Sequence, residues 1–387
     1  IMRILYFSSP PFADCDFPLV RQFQQMGHEV YYLIDLPCYF LRSTLIDINK
    51  QIEENGIFKA SKYKEFDFYK EYMPLDKVYV INRTKKSALH PRNILVYLKL
   101  ASFIKKIKPD IINVVGGIDI STLILLKFKK KLILTVHDPF PHTGEQSRRR
   151  ELFSKLAMRT IPKFIILNEK QRDEFIKVYK LSPNQVYITR LSIYDCIHNF
   201  IPKEYKGNTN SKNILFFGRI SPYKGIEYLL KAMSIVHEKI SEATLTVAGS
   251  GKMYFDITPY QNLKWVKIIN RYVGMEELAG LLKDCALTVC PYTDATQSGV
   301  IMTSYSLCKP VVASNVGGLG EMVEDGKTGL LVSPKDVESL ANSIITLLKD
   351  DAKREYMADN IRNDYFVGDK SWKIIASEYV NSYKDIL

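Results

Sequence analysis

Residues 291–329 read Pro-Tyr-Thr-Asp-Ala-Thr-Gln-Ser-Gly-Val-Ile-Met-Thr-Ser-Tyr-Ser-Leu-Cys-Lys-Pro-Val-Val-Ala-Ser-Asn-Val-Gly-Gly-Leu-Gly-Glu-Met-Val-Glu-Asp-Gly-Lys-Thr-Gly. The apolar run at 286–290 just before them has the length of a buried strand, and Pro291 stops it. Gln297 and Ser298 lead into an apolar-rich segment that closes at Cys308, with Pro310 beyond it and 311–313 as the next strand. The stretch is therefore strand, loop, helix, strand and glycine turn. Ser298, Gly299 and Val300 then stand at a helix N-terminus, at the carboxyl end of a parallel strand. Unpaired N–H groups and the helix dipole make an anion site there, and Gly299 lets a phosphate approach the backbone.

The neighbouring sequence repeats this alternation. A strand at 213–217 runs into Gly218-Arg219-Ile220-Ser221-Pro222-Tyr223-Lys224-Gly225 and then a helix. Arg219 and Lys224, five apart around a turn, can point two cations at one diphosphate; the plain alternative is a charged strand-to-helix loop. Strands follow at 244–248, with Gly249-Ser250-Gly251, and at 263–266. Arg271 and Tyr272 precede a helix at 275–283, where Tyr272 either stacks on a base or only packs. Beyond Gly329 come a strand at 330–332, a helix at 336–348 and a final helix at 370–386, whose Trp372, Ile374, Ile375 and Tyr379 form a core stripe.

The first half opens with a strand at 2–7, a helix at 17–26 ended by Gly27, and a strand at 29–34, a Rossmann-like order without the Gly-x-Gly-x-x-Gly fingerprint of a bound dinucleotide. Asp14-Cys15-Asp16 spells an Asp-x-Asp that can hold a metal, but Asp16 reads better as a helix cap. Residues 37–76 read as an insertion of helices. Alternation resumes with strands at 77–81, 110–114, 132–136, 163–167 and 185–189 and helices at 93–106, 121–128, 152–159 and 169–179. His137-Asp138 stands at a strand's carboxyl end, the place where open α/β sheets bind ligands, and His142 follows a few residues on. The polar stretch 202–211 reads as a linker, which predicts domains at 1–205 and 206–369 and a crossover helix at 370–387.

Composition sets the class. The 387 residues are 46% hydrophobic and 25% charged, ordinary for a globular chain of two or three domains. No apolar run reaches the length of a spanning helix and the opening residues form a strand, so the expected location is cytoplasmic. Six cysteines without a Cys-x-x-Cys pair, and dispersed histidines, predict reduced buried thiols and no structural zinc. Residues 1–205 hold 33 Lys and Arg against 21 Asp and Glu; the remainder holds 21 of each, so the whole net charge of +12 lies in the first half. Lys105-Lys106-Ile107-Lys108, Lys127 to Lys131 and Arg148-Arg149-Arg150 either attract an anionic membrane or acidic acceptor or simply solvate the surface. No nucleic-acid module accompanies the charge, so nucleic acid is not an expected partner.

Pro291-Tyr292, Ser298-Gly299-Val300, Lys309-Pro310-Val311-Val312-Ala313, Val316-Gly317-Gly318-Leu319, Glu321 and the run Glu324 to Gly329 stand in an order that resembles the donor-binding core of the GT-B glycosyltransferases, specifically the retaining family 4, also called group 1. The resemblance covers the second half well and the first half at the opening strand and His137-Asp138. It implies two Rossmann-like α/β domains facing a cleft, with the C-terminal helix crossing back to the first. It also implies transfer of a hexose-type sugar, with retention, from a nucleotide-diphosphate sugar to a glycan or lipid-linked acceptor, in surface polysaccharide or glycoconjugate synthesis.

In that family the residues at Arg219 and Lys224 contact the donor diphosphate together with the N–H groups around Gln297, Ser298, Gly299 and Val300, so no metal and no cofactor are implied. The resemblance places His137 toward the donor sugar, Arg271 and Tyr272 at the nucleobase, Gly317 and Gly318 against the ligand, and Glu321 at the sugar or anchoring its loop. A leaving phosphate oxygen takes the acceptor proton; the basic first half, apart from the resemblance, points to a peripheral contact with an anionic membrane at its inner face. The family's two glutamates, eight positions apart, fall at Ala295 and Thr303, so this chain resembles a variant lacking both. A hydroxyl at Thr303 lacks a carboxylate's charge-assisted pair on the ribose. Alternatives are a catalytically lapsed nucleotide-sugar-binding partner subunit, a GT-B nucleotide-sugar epimerase and a membrane-surface scaffold.

Overall fold

The computed structural model describes all residues except 39–42, 44, 47–53, 118–121, 141–156 and 209. The chain divides into two compact units, one holding the described residues up to Leu191 together with Trp372–Leu387 and the other holding Ser192–Ser371.

In the first unit the strands are β1 (Arg3–Ser8), β2 (Glu29–Pro37), β3 (Gly56–Lys59), β4 (Val78–Arg83), β5 (Ile111–Val115), β6 (Leu132–Val136), β7 (Lys163–Ile166) and β8 (Val186–Ile188). They make one sheet in the order β3-β4-β2-β1-β5-β6-β7-β8, parallel except where β3 runs against β4. Strands β5 and β6 are buried along their whole length, as a parallel sheet covered on both faces requires. Side-chain alternation sorts the two faces. Leu5 and Phe7 of β1 join Val96, Leu100 and Ile104 of helix α2 (Pro91–Ile107) and Phe175 of the helix Arg172–Tyr179. Tyr6 points the other way, its ring 6.3 Å from Phe23 of helix α1 (Ala13–Gln25). Phe23 in turn meets Tyr379 at 6.0 Å and Tyr383 at 5.8 Å, so the C-terminal helix Trp372–Lys384 belongs to the first unit by its aromatic stripe. Ile374 lies outside that stripe, on the exposed side.

Several expectations for this unit change. Residues 54–77 hold β3 and a series of short 3-10 turns instead of inserted helices. Instead of the expected helix at 121–128, residues 123–131 are 3-10 turns that meet at a kink, where Phe128 leaves helical conformation with φ −112° and ψ 22°. Asp16 does not cap α1. It sits inside the first turn, fully buried, and accepts a hydrogen bond from Tyr32 Oη at 2.9 Å. The expected helix at 152–159 falls mostly outside the described residues, as do His142 and Arg148 to Arg150.

The second unit contains β9 (Asn213–Phe217), β10 (Thr244–Gly249), β11 (Val266–Asn270), β12 (Leu287–Cys290), β13 (Val311–Ser314) and β14 (Gly329–Val332). The sheet is wholly parallel in the order β11-β10-β9-β12-β13-β14. Numbered within the unit this is 3-2-1-4-5-6, the doubly wound order whose switch point lies between its first and fourth strands, here β9 and β12. Strand β11 begins where the expected one at 263–266 ends; the turn Thr258–Tyr260 and residues 261–265 lead into it. A helix at Asp351–Arg362, capped by Asp350 on the Lys353 N–H, adds to the expected elements.

Contacts divide the chain after Leu191 and Ser371, against the expected 205 and 369. The reason is local. The Tyr194 N–H donates to Met302 O at 3.3 Å, His198 Nε2 meets Ser306 O at 2.7 Å, and Ser192 Oγ donates to Lys370 O at 2.6 Å, so residues 192–200 are already part of the second unit. All six cysteines are free thiols, four of them buried.

Candidate functional site

The site is built where the sheet of the second unit switches direction. Three loops leave the carboxyl ends of β9, β12 and β13, and backbone contacts too close for any side chain hold them together. Gly225 has φ +66°, and a Cβ there would lie 1.9 Å from Pro291 O. Gly317 has φ +50°, and a Cβ there would lie 1.7 Å from Ala295 O. Glycine is required at both positions by conformation and by space together. Hydrogen bonds reinforce the first junction, with the Thr293 N–H donating to Tyr223 O at 2.8 Å. Gly218, with φ +120°, approaches Val300, so the end of β9 meets the first turn of the helix Gly299–Ser306.

The cations of the first loop are placed by aromatic rings. Lys224 Nζ sits 3.7 Å from the centroid of Tyr292, a cation–π contact on a fully buried ring. Arg219 is exposed, and its guanidinium donates to Tyr223 Oη at 3.3 Å. Tyr223 and Tyr292 are edge to face at 6.4 Å, so one aromatic pair carries both cations. Burial holds the Tyr292 phenol well above its usual range and pushes the Cys290 thiol up to about 11, opposed by the Lys224 charge. Both are therefore neutral and leave the lysine charge uncompensated by either group.

At the helix Gly299–Ser306 the Ser298 side chain makes no capping bond; its hydroxyl donates to Tyr292 Oη at 3.4 Å. The first-turn N–H groups of any α-helix lack intrahelical acceptors, and here Lys224 and Ser298 converge on Tyr292 beside them. Gly299 accommodates Tyr194, whose ring would be 2.9 Å from a Cβ added at 299. Gln297 is half-buried in the same loop.

Other expected residues have different surroundings. Thr303 is buried and donates its hydroxyl to Gly299 O at 2.8 Å, so its proton is committed within its own helix. Ala295 is buried, and its carbonyl accepts from the Gly318 N–H at 3.4 Å. Arg271 forms a bidentate pair with Glu277 at 2.7 and 2.8 Å, which fixes the loop at the end of β11. Tyr272 stays 38% exposed beside it, available as a flat face. Glu321 is half-exposed in the short helix Leu319–Met322 that follows Gly317 and Gly318. Sequence reading gave no role to Tyr194, Tyr223 or Thr293. Nothing in their spacing marks them, because the contacts they make cross between loops.

In the first unit His137 follows β6 and is buried under Phe12, ring centroids 4.5 Å apart, with Cys15 Sγ 3.8 Å from its Nε2. Burial lowers its pKa to about 4, opposed by Asp138, so the imidazole is neutral near pH 7. Asp16, next to Cys15, is pushed up by burial to about 7, with the Tyr32 hydroxyl acting the other way. Among the described residues no three His, Cys, Asp or Glu side chains converge as a metal cluster.

A parallel 3-2-1-4-5-6 sheet with two cations, a helix N-terminus and close glycine turns gathered at its switch point defines a domain of the doubly wound class, in which that place is where ligands bind. Comparison with known proteins narrows the class. Residues 211–350 match the family model for glycosyl transferases group 1, and residues 18–190 match that for glycosyltransferase family 4. An uncharacterized glycosyltransferase of Methanocaldococcus jannaschii is 35% identical over 178 residues, 45% of each chain. Among solved structures, sucrose-phosphate synthase of Thermosynechococcus elongatus superposes with a TM-score of 0.68 at 18% identity, covering 100% of this chain and 99% of that one. An Anabaena protein solved with UDP and glucose gives 0.65 at 17% identity, covering 100% and 98%. The chain belongs to the group 1 glycosyltransferases of the GT-B fold. It spans about half the length of the curated relatives it matches.

Proposed function

We propose that the protein transfers a hexose-type sugar from a nucleotide-diphosphate donor to a glycan or lipid-linked acceptor, with retention at the anomeric carbon. The observation that carries this reading is the Lys224 ammonium held on Tyr292 beside the first turn of the helix Gly299–Ser306. Departure of a diphosphate builds negative charge, and a fixed ammonium, the Arg219 guanidinium and first-turn N–H groups stabilise that charge without reorganising. The transfer step proposed here uses no metal and no cofactor. It breaks the bond from the anomeric carbon to the diphosphate oxygen and forms one to the acceptor oxygen, and the acceptor proton passes to the leaving phosphate. Neutral His137 orients the donor sugar by hydrogen bonding, without acting as an acid. Surface polysaccharide or glycoconjugate synthesis is the setting this reading favours.

One observation favours a second reading. With Thr303 bonded to Gly299 O and Ala295 buried, neither position offers a carboxylate to the donor, as in a subunit that binds nucleotide sugar without turning it over. Isothermal titration with UDP, GDP, ADP and CMP, then with their sugar conjugates, tests the donor site. Loss of a charge-assisted diphosphate contact in Arg219→Ala is expected to weaken binding by roughly tenfold or more. Equal affinity in wild type and variant would remove Arg219 from the site. Binding without transfer or hydrolysis, with every acceptor class tried, would favour the lapsed subunit.

A further inference from the structure

A run of the first half rich in basic residues, of which Arg83 alone is buried on Asp35, carries a helix whose outer side is apolar. From Lys77 to Pro109 the sequence contains no Asp or Glu, while Arg83, Lys85, Lys86, Arg92, Lys99, Lys105, Lys106 and Lys108 fall within it. Helix α2 turns Val96, Leu100, Ile104 and Ile107 into the core. Its outer side should then be polar, yet Ile94, Leu95 and Leu98 are 42%, 58% and 51% exposed, with Leu89 at 66% just before the helix. A helix with one apolar stripe needs one partner; this one has two stripes and a single core. The Lys127 to Lys131 segment packs beside α2 and adds exposed lysines without a carboxylate of its own.

Between α2 and the β3–β4 edge lies a groove of about 420 Å³. Lys99, Ser102 and Lys106 line it on the helix side, Phe58, Tyr79 and Phe103 form its apolar wall, and Glu54 stands among the lining residues from the chain before β3. Two ammonium groups about two helical turns apart, over an aromatic wall and next to exposed leucines, suit a phosphate headgroup with its acyl chains alongside.

We infer that this α2 face docks on an anionic lipid surface, with Leu89, Ile94, Leu95 and Leu98 entering the headgroup boundary and Lys99 and Lys106 holding lipid phosphates. Charge decides between occupants. A second copy of the chain would set one carboxylate-poor basic face against another, whereas an anionic bilayer satisfies both the cations and the apolar stripe. Lysine stems can lie along the apolar side chains while their charges reach the phosphates. The inference does not depend on the donor-site reading, since neither Lys99 nor Leu95 belongs to that site.

The test is co-sedimentation of the full chain with phosphatidylcholine vesicles, with and without phosphatidylglycerol, at low and high salt. Binding is expected only to the anionic vesicles and is expected to fall with salt. Replacing Lys99 and Lys106 together by glutamine should weaken it about thirtyfold, and the pair Leu95→Ser and Leu98→Ser should weaken it at both salt levels. Both side-chain pairs are exposed, so unchanged urea melts will show that the variants fold. The inference is overturned by absence of binding, by equal binding to neutral vesicles, or by binding that neither pair of substitutions reduces. Sedimentation velocity showing a dimer that the leucine substitutions dissociate would assign the face to self-association instead and overturn it as well.

Discussion

Asp16→Asn should change how stability depends on pH while leaving the fold intact. In the folded chain the Asp16 carboxyl is fully buried in the first turn of α1, and burial raises its pKa from 3.8 to about 7. The folded state therefore holds the proton longer than the unfolded state does. Stability from this group is fully present below the unfolded pKa and is lost as pH rises, levelling off above the folded value. A displacement of about three units corresponds to roughly 4 kcal/mol in all, of which about 3 kcal/mol falls between about pH 5 and about pH 8.5. Asparagine has nearly the same shape, and its carbonyl can still accept from Tyr32 Oη, which lies 2.9 Å from the carboxylate oxygen. Urea unfolding at those two pH values measures the difference. Relative to wild type, the variant should gain about 3 kcal/mol on going from the acid to the alkaline condition, which isolates Asp16 from every other titrating group. Wild-type and variant stabilities that stay parallel across the range would refute the argument, because they would mean that Asp16 titrates alike in both states.

Two more outcomes follow from the same structure. Gly317→Ala puts a side chain into φ +50° and a Cβ 1.7 Å from Ala295 O, so the variant should lose about 2 kcal/mol or more in urea unfolding; an unchanged midpoint would contradict the approach of these loops. His137, lowered to about 4 by burial, should show no protonation above about pH 5 in imidazole proton NMR, assigned by the signal missing from His137→Gln; a midpoint near 6.5 would place the ring in water.

Strands were the most legible part of the sequence because a parallel sheet covered on both faces demands unbroken apolar runs. Residues 213–217, 132–136 and the four residues of β13 carry little else. The helix Gly299–Ser306 and its glycines were legible because proline, serine and glycine punctuate the chain there. Legibility ended where tertiary contacts outweighed local preference. Asp16 looks like a cap because aspartate suits caps, but Tyr32, sixteen residues away, gives it a partner inside the unit. The boundary looks like 202–211 because that stretch is polar, whereas the bonds of Ser192, Tyr194 and His198 to the second unit are invisible in composition. Arg271 is expected at a nucleobase, whereas Glu277, six residues on, holds both of its terminal nitrogens.

The same geometry bears on the proposed donor site, where the resemblance sets two glutamates at the positions held here by Ala295 and Thr303. The parts present act by backbone and fixed charge: Gly225 against Pro291 O, Gly317 against Ala295 O, and Lys224 over Tyr292. In the function proposed above these groups set where the diphosphate lies. The absent parts are the two carboxylates, which in the family read hydroxyl groups. In their place Ala295 has a carbonyl that accepts from the Gly318 N–H, and Thr303 donates its hydroxyl hydrogen bond to Gly299 O, which leaves a neutral oxygen that can only accept and lacks a carboxylate's charge. In the proposed donor site the diphosphate contacts therefore come from backbone and fixed charge, and any hydroxyl contact comes from residues other than Ala295 and Thr303. Glu321, half-exposed just past Gly317 and Gly318, is the carboxylate that the proposed donor site has left for that role.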